Sequence, residues 1–270
     1  MDGVTAAFRR LRRQRQAAFI PFLVGGHPSL SATRSLVLAL EDAGADIIEL
    51  GIPFSDPLAD GPVIQAASTH ALARGATPRK VLDLVSALRR RVRVPLVALS
   101  YWNPVAQFGG HHAAHAGEPF LRAAHDAGLA GLVVPDLAVE ASAPFRAAAA
   151  RHHIATVFLA APTSSPQRLR TITRCSQGFI YYVSVTGTTG MRRALPPELL
   201  HGVRQLKLVT TKPVCVGFGI STPQQARAVG RVADGVIIGS ALVRCVEAGA
   251  PGASARRVGR LAAAFKRALA

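Results

Sequence analysis

The stretch Ile47-Ile48-Glu49-Leu50-Gly51-Ile52-Pro53-Phe54-Ser55-Asp56-Pro57-Leu58-Ala59-Asp60-Gly61-Pro62 decides how the rest of the chain is read. It opens as an apolar strand, breaks at Gly51 and Pro53, and continues as a loop with three prolines and two aspartates. Glu49 is the odd member of a run that otherwise reads as buried. Burial disfavours the charged form of a carboxyl group, so a glutamate there is costly unless it is paired or used. Asp60 follows eleven residues later, far enough for the loop to fold back over the strand end. Two carboxyl groups in such different settings can hold different protonation states at neutral pH, which suits general acid–base work. The competing reading is a strand-end glutamate bonded to backbone beside two solvated aspartates. The residues of this stretch alone leave both open.

Working outward, the same strand-then-helix unit recurs. A first strand at Ala18–Val24 is stopped by Gly25-Gly26-His27-Pro28, and Ser29 or Ser31 caps the helix that follows, which ends at Gly44. Further strands are expected at 46–50, 96–100, 131–134, 155–159, 179–184, 214–216 and 235–238. Helical patterns occupy 63–73, 78–92, 120–127, 140–152, 167–175, 197–208 and 223–229, and a last helix runs from about 253 to 269. Eight short, nearly continuous apolar strands alternating with helices indicate parallel strands covered by helices. Eight such units in a chain of 270 residues fit an α/β fold of the (β/α)8 TIM-barrel type, in one domain spanning 1–270, better than a doubly wound sheet. The segment around Phe8-Arg9-Arg10-Leu11-Arg12-Arg13 is basic and amphipathic, and reads as an extra N-terminal helix capping one end of the barrel rather than a removable transit peptide. In such a barrel the chemistry belongs on the loops after the strands, where Glu49, Asp60 and Asp136 lie.

Composition narrows the classes. No apolar run reaches membrane-spanning length. Cys175, Cys215 and Cys245 lie far apart without C-x-x-C spacing, which argues for reduced thiols in a cytoplasmic protein and against a zinc site. The net charge of +17 invites a nucleic-acid reading. Its basic residues are dispersed over helical stretches, however, with no RNP-like or zinc-finger motif. The charge reads as general attraction for anionic, phosphorylated substrates or an acidic partner, not as nucleic-acid binding.

The late strands carry a phosphate signal. Gly217-Phe218-Gly219-Ile220-Ser221 follows the seventh strand and Gly239-Ser240 the eighth. Glycines let backbone N–H groups approach an anion closely, and this corner of a barrel often binds phosphate. Ser184-Val185-Thr186-Gly187-Thr188-Thr189-Gly190, after the sixth strand, has little to bury and reads either as a lid that excludes water or as a plain flexible loop.

Pro53-Phe54-Ser55-Asp56-Pro57-Leu58-Ala59-Asp60-Gly61-Pro62 resembles the signature loop of the tryptophan synthase α subunit family. The resemblance extends from Pro21-Phe22 to Gly239-Ser240 and includes Ala161-Pro162-Thr163, Tyr181-Tyr182-Val183 with the glycine-rich stretch after it, and Gly217-Phe218-Gly219-Ile220-Ser221. It implies a lyase that cleaves indole-3-glycerol phosphate to indole and glyceraldehyde 3-phosphate by a retro-aldol step in tryptophan biosynthesis. By position it makes Glu49 the acid–base residue, Asp60 the second catalytic carboxylate and Tyr181 the active-site tyrosine. Phe22 and Leu99 would flank the indole, Thr189 would meet Asp60 on closure, and Gly190, Gly219, Gly239 and Ser240 would hold the phosphate. The family's α subunit needs no metal or organic cofactor and pairs with a pyridoxal-phosphate-bearing β subunit in an α2β2 heterotetramer.

Two places depart from the family. His27 stands where an acidic or other residue is expected, and a lone loop histidine is ordinarily solvated. The stretch Gly109-Gly110-His111-His112-Ala113-Ala114-His115-Ala116-Gly117 is longer than usual, near the family's β-subunit contact, and so bears on the partnership rather than the chemistry. Its three histidines sit among flexible glycines and alanines that give no rigid metal geometry. The alternatives are a free-standing lyase releasing indole, another sugar-phosphate barrel enzyme, or a structural subunit that only activates a β partner.

Overall fold

Alternation of side chains along each strand sorts the apolar residues of this chain into two layers. Ile20, Phe22 and Val24 share one buried cluster with Ile47, Leu99, Val133, Tyr181 and Cys215, while Phe19, Leu23, Ile48, Leu50, Ile180 and Val216 belong to another. The first layer fills the interior of a barrel and the second packs against the surrounding helices. The computed structural model describes residues 3–110, 116–183, 197–217, 219–246 and 251–270.

The strands are β1 (Ala18–Val24), β2 (Ile48–Gly51), β3 (Leu96–Leu99), β4 (Gly131–Val133), β5 (Ala155–Val157), β6 (Leu159–Ala160), β7 (Ile180–Val183), β8 (Val214–Gly217) and β9 (Gly235–Ile238). The pairings are parallel, in the order β5-β4-β3-β2-β1-β9-β8-β7-β6. Only Phe158 separates the two ends of this list, so β5 and β6 are halves of one strand and the sheet curls into the expected barrel. The helices are α1 (Gly3–Gln14), α2 (Leu30–Asp42), α3 (Pro62–Ala73), α4 (Pro78–Arg89), α5 (Trp102–Ala106), α6 (Glu118–Ala127), α7 (Ala143–Arg151), α8 (Pro166–Cys175), α9 (Pro197–Leu208), α10 (Pro223–Gly230), α11 (Ser240–Arg244) and α12 (Pro251–Leu269). Of the two candidate caps on α2, Ser29 is the one used: its side chain accepts from Ala32 N. No helix among the described residues is long and apolar enough to cross a membrane.

Several boundaries differ from the sequence expectation, each for a local reason. The strand expected at 46–50 loses Asp46 from its ladder. That carboxylate is 3% exposed and takes Arg10 Nη2 at 2.8 Å, Lys266 Nζ at 2.6 Å and the Phe19 amide at 2.9 Å. It thereby ties α1, α12 and β1 together, and removing either cation would leave a buried charge underpaired. The strand expected at 155–159 is interrupted at Phe158, where it exchanges β4 for β7 as its neighbour. The helix expected at 140–152 breaks at Ser142, whose hydroxyl donates to the Val139 carbonyl at 2.7 Å and leaves a short 3-10 turn at Val139–Ala141. The five-residue helices α5 and α11 have no counterpart in the sequence reading, because one turn and a half is too short to establish a period.

The amphipathic N-terminal segment does cap the barrel. Val4, Ala7, Phe8 and Leu11 of α1 are buried with the interior layer, and the Phe8 ring lies 5.8 Å from that of Phe179. His27 corrects the expectation of a solvated side chain. It is half-buried, its Nδ1 lies 3.3 Å from Nδ1 of His70 on α3, and the rings meet edge to face at 5.0 Å. Burial, then the His70 charge, lower its pKa, so His27 is favoured in its neutral form.

Candidate active site

β2 places Glu49 by simple alternation. Ile47 belongs to the interior layer and Ile48 and Leu50 to the outer one, so Glu49 points inward with Ile47. It pairs in register with Phe22 of β1 on one side and Val97 of β3 on the other. Its side chain is 1% exposed, and neither carboxyl oxygen has a hydrogen-bond partner among the described residues. A buried carboxylate left in that state would be expensive, and protonation relieves the cost. Burial, with the Asp60 charge adding to it, pushes the Glu49 carboxyl up to about 8.

Asp60 reaches the same region from the loop. Pro57 accepts the Asp60 amide at 3.0 Å, and Gln65 Nε2 donates to the Asp60 carbonyl at 2.9 Å, so a tight turn leads into the first turn of α3. The Asp60 side chain is buried, while Ser55, Asp56 and Leu58 of the same loop face outward, Leu58 at 84% exposure. Burial raises Asp60 to about 6, against the pull of a hydrogen bond from the Tyr101 hydroxyl. At neutral pH the two carboxyl groups therefore divide into an acid, Glu49, and a carboxylate, Asp60.

Tyr181 stands on β7, with its hydroxyl against the Cα of Gly217, where a side chain would collide with it. Burial, then the charges of Glu49 and Asp60, raise its pKa well above normal, so it stays a phenol. Phe22 makes the link to the far side. A Cβ at Gly51 would lie 2.7 Å from its Cζ, and one at Gly239 would lie 3.3 Å from its Cδ1. The glycines that end β2 and β9 thus make room for one ring spanning the distance between them. Leu99 is buried in the same layer.

Gly219, Gly239 and Ser240 lie at the ends of β8 and β9, on the carboxyl side of the strands, as Glu49 does. Gly219 is exposed with φ +75°, a left-handed conformation that favours glycine. Gly239 and Ser240 are partly exposed. Thr189 and Gly190, with the whole glycine-rich stretch after β7, lie outside the described residues, as do Phe218 and the histidines at 111, 112 and 115. Among the described residues no cluster of three or more His, Cys, Asp or Glu side chains forms a metal site.

One site residue was missed in the sequence. Tyr101, two residues after β3, holds the loop beside Asp60: the Ala59 amide donates to its hydroxyl at 3.0 Å, and the Phe54 ring stacks on it at 5.4 Å. The available signal was its position, an aromatic phenol at the carboxyl end of a barrel strand. A separate cavity of about 390 Å³ lies between the loop after β4 and α8, lined by residues that include Leu137, Phe158, Thr163 and Arg168. Neither Glu49 nor Asp60 lines it.

Comparison with known proteins identifies the family. The family model described as tryptophan synthase alpha chain matches residues 8–269. The tryptophan synthase alpha chain of Gloeobacter violaceus is 46% identical over 260 residues, covering 96% of this chain and 91% of its own. That of Geobacter sulfurreducens is 43% identical over 269 residues, covering 100% and 98%. Among solved structures, tryptophan synthase subunit alpha from Legionella pneumophila superposes with a TM-score of 0.88 at 33% identity, covering 100% of this chain and 98% of that one. A chain of tryptophan synthase from M. tuberculosis, in its aminoacrylate-bound form, gives 0.87 at 32% identity over the full length of both.

Proposed function

Because the chain belongs to the tryptophan synthase alpha chain family, we infer that its barrel is the site at which indole-3-glycerol phosphate is split into indole and glyceraldehyde 3-phosphate. It acts as the α subunit in tryptophan biosynthesis, with a β subunit as its partner. The observation that supports the assignment of roles is the division of Glu49 and Asp60 into a buried acid and a neighbouring carboxylate.

The chemistry needs such a pair. Glu49 donates its proton to indole C3, which turns the ring into an indoleninium cation. Asp60, as an anion, holds the ring N–H and offsets the positive charge. The Glu49 carboxylate then removes the proton of the hydroxyl on the adjacent side-chain carbon. The bond from that carbon to C3 breaks, its electron pair returns to the ring, and the carbon leaves as the aldehyde of glyceraldehyde 3-phosphate. One proton has moved from hydroxyl to C3, and no step requires a metal or an organic cofactor. Phe22, with Leu99, flanks the indole, and Tyr181 lines the same space. The phosphate is assigned to Gly219, Gly239 and Ser240, with Gly190 completing the set and Thr189 meeting Asp60. The outward face of the loop, with Asp56 and the exposed Leu58, is left for the β subunit. The free thiols of Cys175, Cys215 and Cys245 suit a reducing compartment, and we place this single-domain enzyme in the cytoplasm.

An assay of indole release from indole-3-glycerol phosphate, with and without a tryptophan synthase β subunit, tests the assignment. Turnover that rises on adding the β subunit is expected, and no indole under either condition would reject it. Two further results are expected. The pH profile of kcat/KM should be bell-shaped, with an acid limb near 6 as Asp60 protonates and an alkaline limb near 8 as Glu49 loses its proton. A rate still climbing beyond the alkaline limb would contradict protonated Glu49 as the donor. Ser240→Ala should weaken indole-3-glycerol phosphate and glyceraldehyde 3-phosphate by about 1.5–3 kcal/mol, one to two decades in affinity, and leave free indole almost unchanged. Calorimetry with the three ligands separates this from a folding defect, which would weaken all of them. Ser240→Ala is a cleaner probe than a substitution at Gly219, where a side chain would also strain the left-handed turn.

A further inference from the structure

We propose that Tyr101 is a positioning residue for Asp60, its hydroxyl fastening the signature loop to the end of β3 and presenting the carboxylate to the substrate as an anion. This rests on the reading of Asp60 given above and adds a residue to it.

The argument is one of hydrogen-bond capacity. A phenol has one proton to give and lone pairs to receive. The Ala59 amide donates to the Tyr101 oxygen at 3.0 Å, so the hydroxyl keeps its proton to give, and the Asp60 carboxylate, next along the loop and charged beside the phenol, is the acceptor we assign to it. Ala59 and Asp60 are consecutive, so one oxygen atom fixes both the backbone of the loop and the side chain next along it. Phe54, near the start of the same loop, stacks on the Tyr101 ring with centroids 5.4 Å apart and planes 30° from parallel. The ring is 2% exposed. The loop is thus held at two points by a buried side chain set just beyond a barrel strand, which gives Asp60 a definite place despite its position on a connection.

The direction of charge is consistent. Among the described residues, the titratable groups coupled to Asp60 and Tyr101 are Glu49 on β2, Tyr181 on β7 and Asp136 after β4. None of them supplies a cation. Asp136 is occupied in accepting the Trp102 amide at 2.8 Å, which steadies the backbone beside Tyr101. In that surrounding the Tyr101 hydroxyl is a donor that favours ionised Asp60. Burial and the nearby carboxylates raise the phenol's own pKa, so it does not compete for the negative charge.

Tyr101→Phe keeps the ring and its stack and deletes the hydroxyl. In the full-length protein with indole-3-glycerol phosphate, kcat should fall about ten- to a hundredfold with little change in KM, and the acid limb of kcat/KM should move up by about one unit. Replacing Tyr101 with 3-fluorotyrosine keeps the shape and strengthens the donor, so the limb should move down instead. It also covers the case in which Tyr101→Phe folds poorly. A wild-type rate and limb in Tyr101→Phe would overturn the proposal. So would a lower Tm with an unmoved limb, which is the mark of a purely structural tyrosine, or an unmoved limb with 3-fluorotyrosine. Asp60→Asn is run alongside. Wild-type turnover there would overturn the reading of Asp60, and the proposal with it, a result distinct from a silent Tyr101 variant beside an inactive Asp60→Asn.

Discussion

Glu49→Gln is expected to lower indole release by at least ~10²–10⁴-fold, the range of a general acid–base residue, while the barrel stays folded. The amide nearly keeps the shape of the carboxyl group but cannot deliver a proton to C3 or take one from the hydroxyl. The folded state should tolerate it well. Glu49 is buried without a hydrogen-bond partner among the described residues, so the substitution breaks no hydrogen bond among them. Because burial holds Glu49 near 8, the native protein pays nothing for a charge there at neutral pH that glutamine would relieve. Circular dichroism and a melting curve beside the activity assay check both halves. Wild-type-like turnover by a folded Glu49→Gln protein would sink the assignment of the acid.

Asp60→Asn is expected to be comparably severe, because an amide offers no negative charge opposite the indoleninium ring. The contrast with Asp56→Asn makes the prediction specific. The two aspartates lie four residues apart in one loop, but Asp60 is buried beside Glu49 and Asp56 is exposed beside Leu58. Asp56→Asn should spare the activity of the chain measured alone and weaken its stimulation by a β subunit. Steady-state rates of each variant with and without the β subunit decide the matter, and reversed effects would mean that the loop is ordered the other way round.

The acid limb and the Tyr101 variants bear on the same loop from another side. If Asp60 is held by one hydroxyl, the catalytic and partner-facing halves of the loop share a single anchor. Displacing that anchor should then be felt on both faces.

Much of this was legible in the residues. Nearly continuous apolar runs separated by helical stretches identify eight strand–helix units, because a short strand buried on both faces between amphipathic helices is a local pattern. The signature loop marks Glu49 and Asp60 as the pair to examine, and the glycines after the seventh and eighth strands mark an anion site, since close backbone approach requires the absence of a side chain. What remained hidden depends on residues far apart in the chain. Tyr101 meets Ala59 across 42 positions, and His27 meets His70 across 43. Asp46 leaves its strand for Lys266, 220 positions away. No periodicity reports such contacts, because barrel closure brings them about. The separation of the two carboxyl groups belongs with them. Sequence named two acidic residues in unlike settings, but which stays protonated depends on how completely each is withdrawn from water and what its oxygens touch. Packing alone decided that, by burying Glu49 completely, without a hydrogen-bond partner among the described residues, and Asp60 less so.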